Sequence, residues 1–157
     1  MAAATDITLG SPLALPCGVA IKNRFGKAPL TEGLADEWNR ATDRHVRLYR
    51  AWAEGGAGLV VTGNVQVDRR YLERPGNVVI DGTVPQTIDD VALAALRAYA
   101  RAGSGNGTLL LMQLNHPGRQ TPRSVCAQPV APSAVPLKLP GQAFAPQQQA
   151  HLFFTAL

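Results

Sequence analysis

The hydrophobic pattern of this chain is clearest at residues 109–112, an uninterrupted run of three leucines and a methionine. A run of this length predicts a short parallel strand that is buried on both faces. Gln113, Asn115 and His116 follow it, so polar side chains are expected where the strand leaves the core. For one strand end alone, side chains that satisfy backbone groups in a loop explain this cluster as well as a binding site does.

Two earlier segments repeat this arrangement. Residues 58–63 form an apolar run with two valines that ends at Gly63, and residues 25–30 predict a strand that is followed by Thr31. A short hairpin is predicted over residues 13–21, where apolar residues alternate weakly. The sequence therefore predicts three strands whose carboxyl ends carry polar groups or glycine.

Two amphipathic segments separate these strands. One helix is predicted from Thr42 or Asp43 to a glycine stop at Gly55, and a second from a capping-box variant at residues 87–90 to Gly103. The residues expected to face the core are Val46, Tyr49 and Ala53 in the first helix and Val91, Ala94, Ala95, Ala98 and Tyr99 in the second. The order strand, helix, strand, helix, strand predicts an α/β fold with a parallel sheet and right-handed crossovers.

The other segments predict irregular structure. Residues 66–85 form a loop that is long enough to be functional or flexible. Prolines interrupt the chain after Arg119, and its end resembles neither a strand nor a capped helix. We therefore expect a disordered tail over residues 140–157.

Composition and charge limit the classes of protein. The chain has 157 residues, 46% hydrophobic and 17% charged, which is enough for one modest domain with a core. It has neither the roughly 20 apolar residues of a membrane helix nor a secretory signal, so a cytoplasmic protein is expected. Cys17 and Cys126 lack metal-site or redox spacing and predict ordinary thiols.

The net charge of +4 raises the question of nucleic acid, which remains a minor alternative. The basic residues that predict a solvated stripe along the first helix are Arg40, Arg44, Arg47 and Arg50. Aromatic residues are not interleaved with them as in a base-stacking platform. His45 and His151 have no partners at ligand spacing and are predicted to be surface residues.

Several motifs share one order along the chain with a known family. They are Leu-Ala-Leu-Pro at 13–16, Lys-Asn-Arg-Phe at 22–25, Ala-Pro-Leu-Thr at 28–31, the glycine-rich turn and strand at 55–63, Gln-Leu-Asn-His-Pro-Gly-Arg at 113–119, and Val-Ala-Pro-Ser-Ala at 130–134. Together they resemble the N-terminal part of the old yellow enzyme family, the FMN-dependent NAD(P)H:flavin oxidoreductases and ene-reductases. The resemblance covers residues 1–139.

The resemblance implies a (β/α)8 barrel of the TIM type, of which this chain carries about three βα units. A complete barrel takes about 250 residues or more. In the complete enzyme, hydride passes from NAD(P)H through FMN to an activated alkene, a small-molecule substrate. The family's substrate-anchoring pair, its proton-donating tyrosine and its phosphate-binding loops have no counterpart here, so we expect a truncated product that is inactive alone.

The resemblance also implies one side of a flavin pocket. Gln113 would hydrogen-bond the pyrimidine edge of the isoalloxazine, and Thr31 would place its hydroxyl near flavin O4. Pro29 and Leu30 would present backbone groups beside the ring, and Gly63 would allow close approach of the backbone. Without the resemblance, an ordinary turn residue is the favoured explanation of Thr31, and a strand-end turn that of Gly63.

The sequence indicates no catalytic residue and no metal ligand. His116 and Arg119 are predicted to shape their loop. A rival hypothesis is a non-catalytic half-barrel interaction module, because three strands leave one apolar edge unpaired and open to self-association.

Overall fold

The fold is known from a computed structural model that describes residues 6–82, 86–138, 140 and 148–149. The strands are β1 (Leu13–Ala14), β2 (Ala20–Ile21), β3 (Gly26–Lys27), β4 (Leu59–Gln66), β5 (Val78–Val79), β6 (Leu109–Asn115), β7 (Val130–Ala131) and β8 (Gln148–Gln149). The helices are α1 (Asp43–Glu54) and α2 (Gln86–Gly103), with 3₁₀ turns at Gly105–Gly107 and Gly118–Gln120. The predicted order of three strands and two helices is confirmed.

The central sheet is parallel, and β4 lies in its middle. β6 pairs with one edge of β4 along its whole length, from Leu59 opposite Leu109 to Gln66 opposite Asn115. The opposite edge of β4 is shared, with β3 at its beginning and β5 at its end. Short parallel strands joined by helices in this order are the repeating unit of a (β/α)8 barrel. The chain therefore has part of the fold of such a barrel.

The pairing of β4 with β6 contains a β-bulge. Val61 lies opposite Leu111 and Asn64 opposite Gln113, so Thr62 and Gly63 together face one residue of β6. The side-chain oxygen of Thr62 accepts a hydrogen bond from the backbone nitrogen of Gln113 at 2.9 Å. Bulges of this kind re-aim side chains and are frequent beside active sites.

Helix α1 begins and ends as predicted, after Thr42 and at Gly55. His45, predicted to be a surface residue, is only 1% exposed, and this prediction is wrong. Its Nδ1 accepts a hydrogen bond from the backbone nitrogen of Thr42 at 3.1 Å, and its ring lies 5.3 Å from that of Tyr99. At the first turn of the helix the imidazole therefore acts as a cap and a core residue together.

The predicted basic stripe is confirmed in part. Arg44, Arg47 and Arg50 are exposed on α1. Arg40 lies before the helix, where its Nε donates to Asp36 at 2.7 Å.

Helix α2 confirms the predicted inner face in part, because the predicted residues Ala95 and Tyr99 do lie at the core. Tyr99 is buried and Leu96 is partly buried against the core, but the predicted residues Val91, Ala94 and Ala98 are exposed. Fewer residues of α2 face the core than the alanine-rich pattern indicated. Alanine occurs on buried and exposed faces alike, so it marks the buried face of a helix only weakly. Of the capping-box variant predicted at residues 87–90, the side chains of residues 87–89 lie outside the part that the structure describes, and Asp90 is exposed.

The core lies between the sheet and the two helices. Its buried cluster consists of Ala41, Tyr49, Val60, Val65, Val78 and Tyr99. Gly103 ends α2 at a point where a Cβ would lie 3.1 Å from the ring of Tyr49 and 3.0 Å from Leu110. A larger residue at this helix end would require the side chains of Leu110 and Tyr49 to shift by a few tenths of an ångström.

Strand β6 is not buried on both faces, contrary to the prediction. Leu111, Met112 and Leu114 are 48%, 44% and 63% exposed. Among the described residues β6 pairs only with β4, and only its beginning, at Leu110, packs against the helices. An apolar run thus identified the strand but not the neighbours that cover it.

The remaining segments combine agreement and difference. The predicted hairpin is confirmed as antiparallel β1 and β2, whereas the strand predicted over residues 25–30 is reduced to β3. The predicted loop 66–85 contains β5, and Asp81 receives two hydrogen bonds from the side chain of Arg69. Within the described residues 66–82, β5 pairs with the end of β4, and Leu72 and Asn77 are buried.

The predicted tail differs at two residues. Gln148–Gln149 pair in parallel with Val130–Ala131, a bridge too short to give a periodic signal in the sequence. His151 and the other tail residues except Pro140 lie outside the described part of the chain. Both cysteines are free thiols. Neither helix is long and apolar enough to cross a lipid bilayer in the part of the chain described here.

Candidate functional site

The predicted site residues meet at the carboxyl ends of β3, β4 and β6. Asn64 of β4 lies directly opposite Gln113 of β6. On the other side, Asn64 Nδ2 donates to Thr31 Oγ1 at 3.2 Å, and Thr31 follows the end of β3. The parallel sheet therefore brings Thr31, Asn64 and Gln113 into one row, although they are far apart in the sequence.

Gln113 carries the most informative atom of this row. Its backbone nitrogen is bound to Thr62, but its side-chain Oε1 is buried and has no hydrogen-bond partner within the described residues. A buried acceptor without a donor costs about 1–3 kcal/mol. Such an atom in a folded protein calls for an explanation, and a ligand that donates a hydrogen bond at this point supplies one.

Thr31 is held by two polar neighbours. Its hydroxyl donates to Glu73 Oε2 at 2.7 Å while its oxygen accepts from Asn64. Burial opposes ionisation of Glu73, but hydrogen bonds from Arg74 and Thr31 outweigh it and hold the pKa of this carboxyl below its usual value. The Thr31 oxygen is thereby oriented beside an ionised carboxylate.

Gly63 is a glycine because its own chain needs the space. A Cβ at this position would overlap the carboxylate of Glu32 and the carbonyl oxygen of Leu30. The sequence predicted that the absent side chain makes room for a ligand. The structure instead places the segment after β3 against Gly63, and contact with a ligand stays a prediction.

Glu32 is the residue that the sequence analysis missed. Its Oε1 accepts a hydrogen bond from the backbone nitrogen of Gly63 at 3.0 Å and another from the hydroxyl of Tyr49. Lys27 Nζ lies 3.9 Å from the same oxygen and donates to the carbonyl of Val61 at 3.0 Å. Position 32 follows Thr31 directly, but nothing in the sequence marks this carboxylate as buried.

Burial changes the acidity of the groups around Glu32. It lowers the pKa of Lys27, while the charge of Glu32 acts in the opposite direction. Burial and the hydrogen bond to Glu32 raise the pKa of Tyr49. Lys27 also lies 4.2 Å from the ring centre of Trp52, a cation–π contact that stabilises the ammonium ion in this setting. We refer to Lys27, Glu32, Tyr49 and Gly63 as the Glu32 network.

The rim of the site is more open. Pro29 and Leu30 are exposed residues, although the carbonyl oxygen of Leu30 lies against Gly63. His116 Nδ1 accepts a hydrogen bond from the backbone nitrogen of Gly118 at 3.1 Å, and its ring lies 5.1 Å from that of Tyr71. Burial lowers the pKa of His116, with Asp68 opposing, so the imidazole is neutral near pH 7.

The chemistry of this surface is that of polar recognition. Asn115 Nδ2 donates to Gln66 Oε1 at 3.1 Å, so amides from β4 and β6 lie side by side along the strand ends. No group of three or more potential metal ligands lies together within the described ranges. The arrangement offers hydrogen-bonding groups along one edge, as a planar heterocycle with alternating donors and acceptors would require.

Comparison with known proteins finds flavin oxidoreductases among the relatives of this chain. No family model matches the chain. The chain is 39% identical over 155 residues to an NADH-dependent flavin oxidoreductase of Neonectria sp. (strain DH2), which takes in 96% of this chain and 20% of that protein. It is 36% identical over 133 residues to an NADH-dependent flavin oxidoreductase of Hypocrea jecorina (strain QM6a), with 82% and 32% covered.

A solved structure agrees with these relatives. The old yellow enzyme homologue from Zymomonas mobilis superposes with a TM-score of 0.73 at 26% identity, over 92% of this chain and 40% of that chain. This chain therefore spans a third or less of the length of the two curated relatives and less than half of the solved one.

Proposed function

We propose a function from the premise that this chain belongs to the old yellow enzyme family of flavin oxidoreductases, whose members use FMN with NAD(P)H as electron donor. Residues 1–139 build one side of an FMN pocket at the carboxyl ends of the barrel strands. Gln148–Gln149, which follow this range in the sequence, pair with β7. The protein to which the pocket belongs passes hydride from NAD(P)H to an activated alkene.

The buried Oε1 of Gln113 carries this proposal. The isoalloxazine ring offers an N3–H donor between two carbonyl oxygens. A single carboxamide such as that of Gln113 can accept a hydrogen bond from N3–H through its oxygen and donate one to a neighbouring carbonyl oxygen through its nitrogen. The lone acceptor of Gln113 fits that edge, and the ligand removes the cost of leaving it unpaired.

The other site residues have supporting roles. The Thr31 hydroxyl donates to Glu73 and accepts from Asn64 in this structure, and on this proposal it turns from Glu73 to donate to flavin O4 when the cofactor binds. Pro29 and Leu30 present backbone groups beside the ring, and Gly63 keeps the backbone close to it. When bound, FMN supplies the hydride chemistry, and these residues bind and orient it.

This chain alone is a poor catalyst under the same proposal. It spans 20% and 32% of its two curated relatives, and the described strands do not close a barrel. A pocket with one wall leaves the ring open to water. Turnover therefore needs barrel segments beyond those seen here, and the cytoplasmic location stays a prediction.

Flavin retention tests the proposed pocket. The purified chain is incubated with FMN, desalted, and examined by visible absorbance, with free FMN as the reference. We expect retained flavin with a shifted long-wavelength band, because the amide row replaces water around the ring. A spectrum without flavin at high micromolar concentrations of both components contradicts the proposal.

A second candidate function rests on the exposed strand β6. Its free edge and its exposed side chains at Leu111 and Leu114 suit association with another copy or a partner. On this hypothesis the half-barrel is a non-catalytic interaction module that associates through β6. Sedimentation with and without FMN separates the two: a flavin-independent dimer supports the module, and a monomer that binds flavin supports the pocket.

A further inference from the structure

We infer that Glu32 is a positioning residue for the flavin pocket, an inference that rests on the function proposed above. Its carboxylate fixes the segment that follows β3 against Gly63, and thereby sets where Leu30 and Thr31 meet the flavin. Neither Glu32 nor Gly63 needs to touch the cofactor for this effect to operate.

The bulge in β4 creates the binding partner for Glu32. At Gly63 the register between β4 and β6 shifts, and β3 and β5 pair with other parts of β4. The nitrogen of Gly63 donates instead to Glu32 Oε1 at 3.0 Å and lies 3.1 Å from the hydroxyl of Tyr49. A side chain from the end of β3 thus occupies the place that a neighbouring strand would fill.

The contact holds more than one side chain in place. Leu30, Thr31 and Glu32 are consecutive, and both the carbonyl oxygen of Leu30 and the carboxylate of Glu32 approach the Cα of Gly63 too closely for any other residue. When the carboxylate is anchored, the peptide between them has little freedom. Thr31, whose hydroxyl points to Glu73 and Asn64, is therefore fixed from both sides.

The charge of Glu32 is compensated inside the domain. The side chains of Lys27 and Glu32 are 12% and 9% exposed, and their charged atoms lie 3.9 Å apart. The carboxylate also accepts hydrogen bonds from the backbone nitrogen of Gly63 and the hydroxyl of Tyr49. A charged acceptor forms stronger hydrogen bonds than a neutral one, so an ionised Glu32 holds the segment more firmly than an amide of the same shape does.

Two variants and a control test this role in the full chain. Glu32→Gln keeps the shape and removes the charge, and Tyr49→Phe removes one donor while leaving the ring in the core. Glu37→Gln makes the same chemical change at an exposed glutamate nearby and serves as the control. Hydrogen exchange at the Gly63 amide is measured without FMN, and FMN affinity and the visible spectrum are measured with it.

We expect faster exchange at Gly63 in Glu32→Gln than in Glu37→Gln. FMN binding should weaken about tenfold in Glu32→Gln, with a change in the long-wavelength band, since a neutral acceptor replaces a charged one. Tyr49→Phe should shift both readouts in the same direction. A role in folding alone would change the unfolding midpoint but leave the spectrum of the bound flavin as in the unaltered chain.

The outcomes distinguish a failure of this inference from a failure of the proposed function on which it rests. If the unaltered chain retains no FMN but Glu32→Gln still speeds exchange at Gly63, the proposed pocket fails and the anchoring of the segment stands. If exchange at Gly63 is the same in Glu32→Gln and Glu37→Gln, the anchoring is overturned. Equal FMN affinity and identical flavin spectra in all variants overturn the positioning role.

Discussion

The backbone nitrogen of Thr42 donates a hydrogen bond to Nδ1 of His45, three residues later in the first turn of α1. Glutamate or glutamine is the usual residue at this place in a capping box. An imidazole accepts this bond only when Nδ1 carries no proton. The start of the helix is therefore coupled to the protonation of a buried side chain.

This coupling predicts that the fold loses stability at pH values well above those at which carboxylates usually become protonated. Burial lowers the pKa of His45, with Glu32 opposing it, so the folded state keeps the imidazole neutral while the unfolded state protonates near pH 6.5. The unfolded state then binds more protons, and the free energy of unfolding falls as the pH drops below about 6.5. Urea unfolding at pH 7.5, 6.5 and 5.5 measures this fall.

The variant His45→Gln isolates the effect, because its amide oxygen can accept from Thr42 and does not titrate. Its free energy of unfolding should depend less on pH than that of the unaltered chain. His116, whose pKa is lowered by burial as well, accounts for the dependence that remains. Equal pH slopes in both proteins would show that His45 is not the titrating group.

A methyl group at position 63 should be costly. In Gly63→Ala the new Cβ meets the backbone of Leu30 and the carboxylate of Glu32, and backbone cannot give way as a flexible side chain does. We expect a loss of about 3 kcal/mol in the free energy of unfolding, at the upper end for overpacking. Gly10→Ala is the control, since its nearest neighbour would lie 3.8 Å away. Equal stability of the two variants would mean that the segment after β3 moves freely.

The variant Gln113→Leu should separate stability from binding. Leucine removes a buried oxygen that has no partner, so the free energy of unfolding should rise by about 1 kcal/mol. Retention of FMN should fall together with this gain. Gln120→Leu, at an exposed position in the 3₁₀ turn after β6, should change neither property. Stabilisation with undiminished flavin binding would remove Gln113 from the pocket.

A charge on strand β6 should reduce self-association. Leu114 is 63% exposed beside an edge that is unpaired among the described strands, and lysine at an edge opposes strand addition. Sedimentation velocity of Leu114→Lys should show a lower fraction of dimer than the unaltered chain at the same concentration. Leu93→Lys places the same charge on an exposed position of α2 and should have no effect. Unchanged association in both variants would locate the contact elsewhere.

The sequence predicted the elements whose signals are local. Apolar runs located β4 and β6, and a capping residue with a glycine stop located α1. These signals depend on neighbouring residues along the chain, which is why they can be read without a structure.

The errors concern residues whose surroundings are assembled from distant segments. Glu32 is buried because Tyr49 and Gly63 meet it, and His45 is buried because Tyr99 packs on it. The exposure of Leu111 likewise depends on which strands lie beside β6. A prediction from polarity alone places glutamate and histidine on the surface and leucine in the core.

The bulge at Thr62 and Gly63 also sets the phase of side-chain alternation in β4. Val60 and Val65 both belong to the core cluster although they are five positions apart, which a regularly alternating strand cannot achieve. The extra residue reverses the phase and turns Asn64 to the side of Gln113. A regular strand that kept Gly63 but lost the bulge would exchange the two outcomes, with valine among the amides and asparagine in the core. Deleting Gly63, by contrast, would leave Val65 in the core and Asn64 beside Gln113.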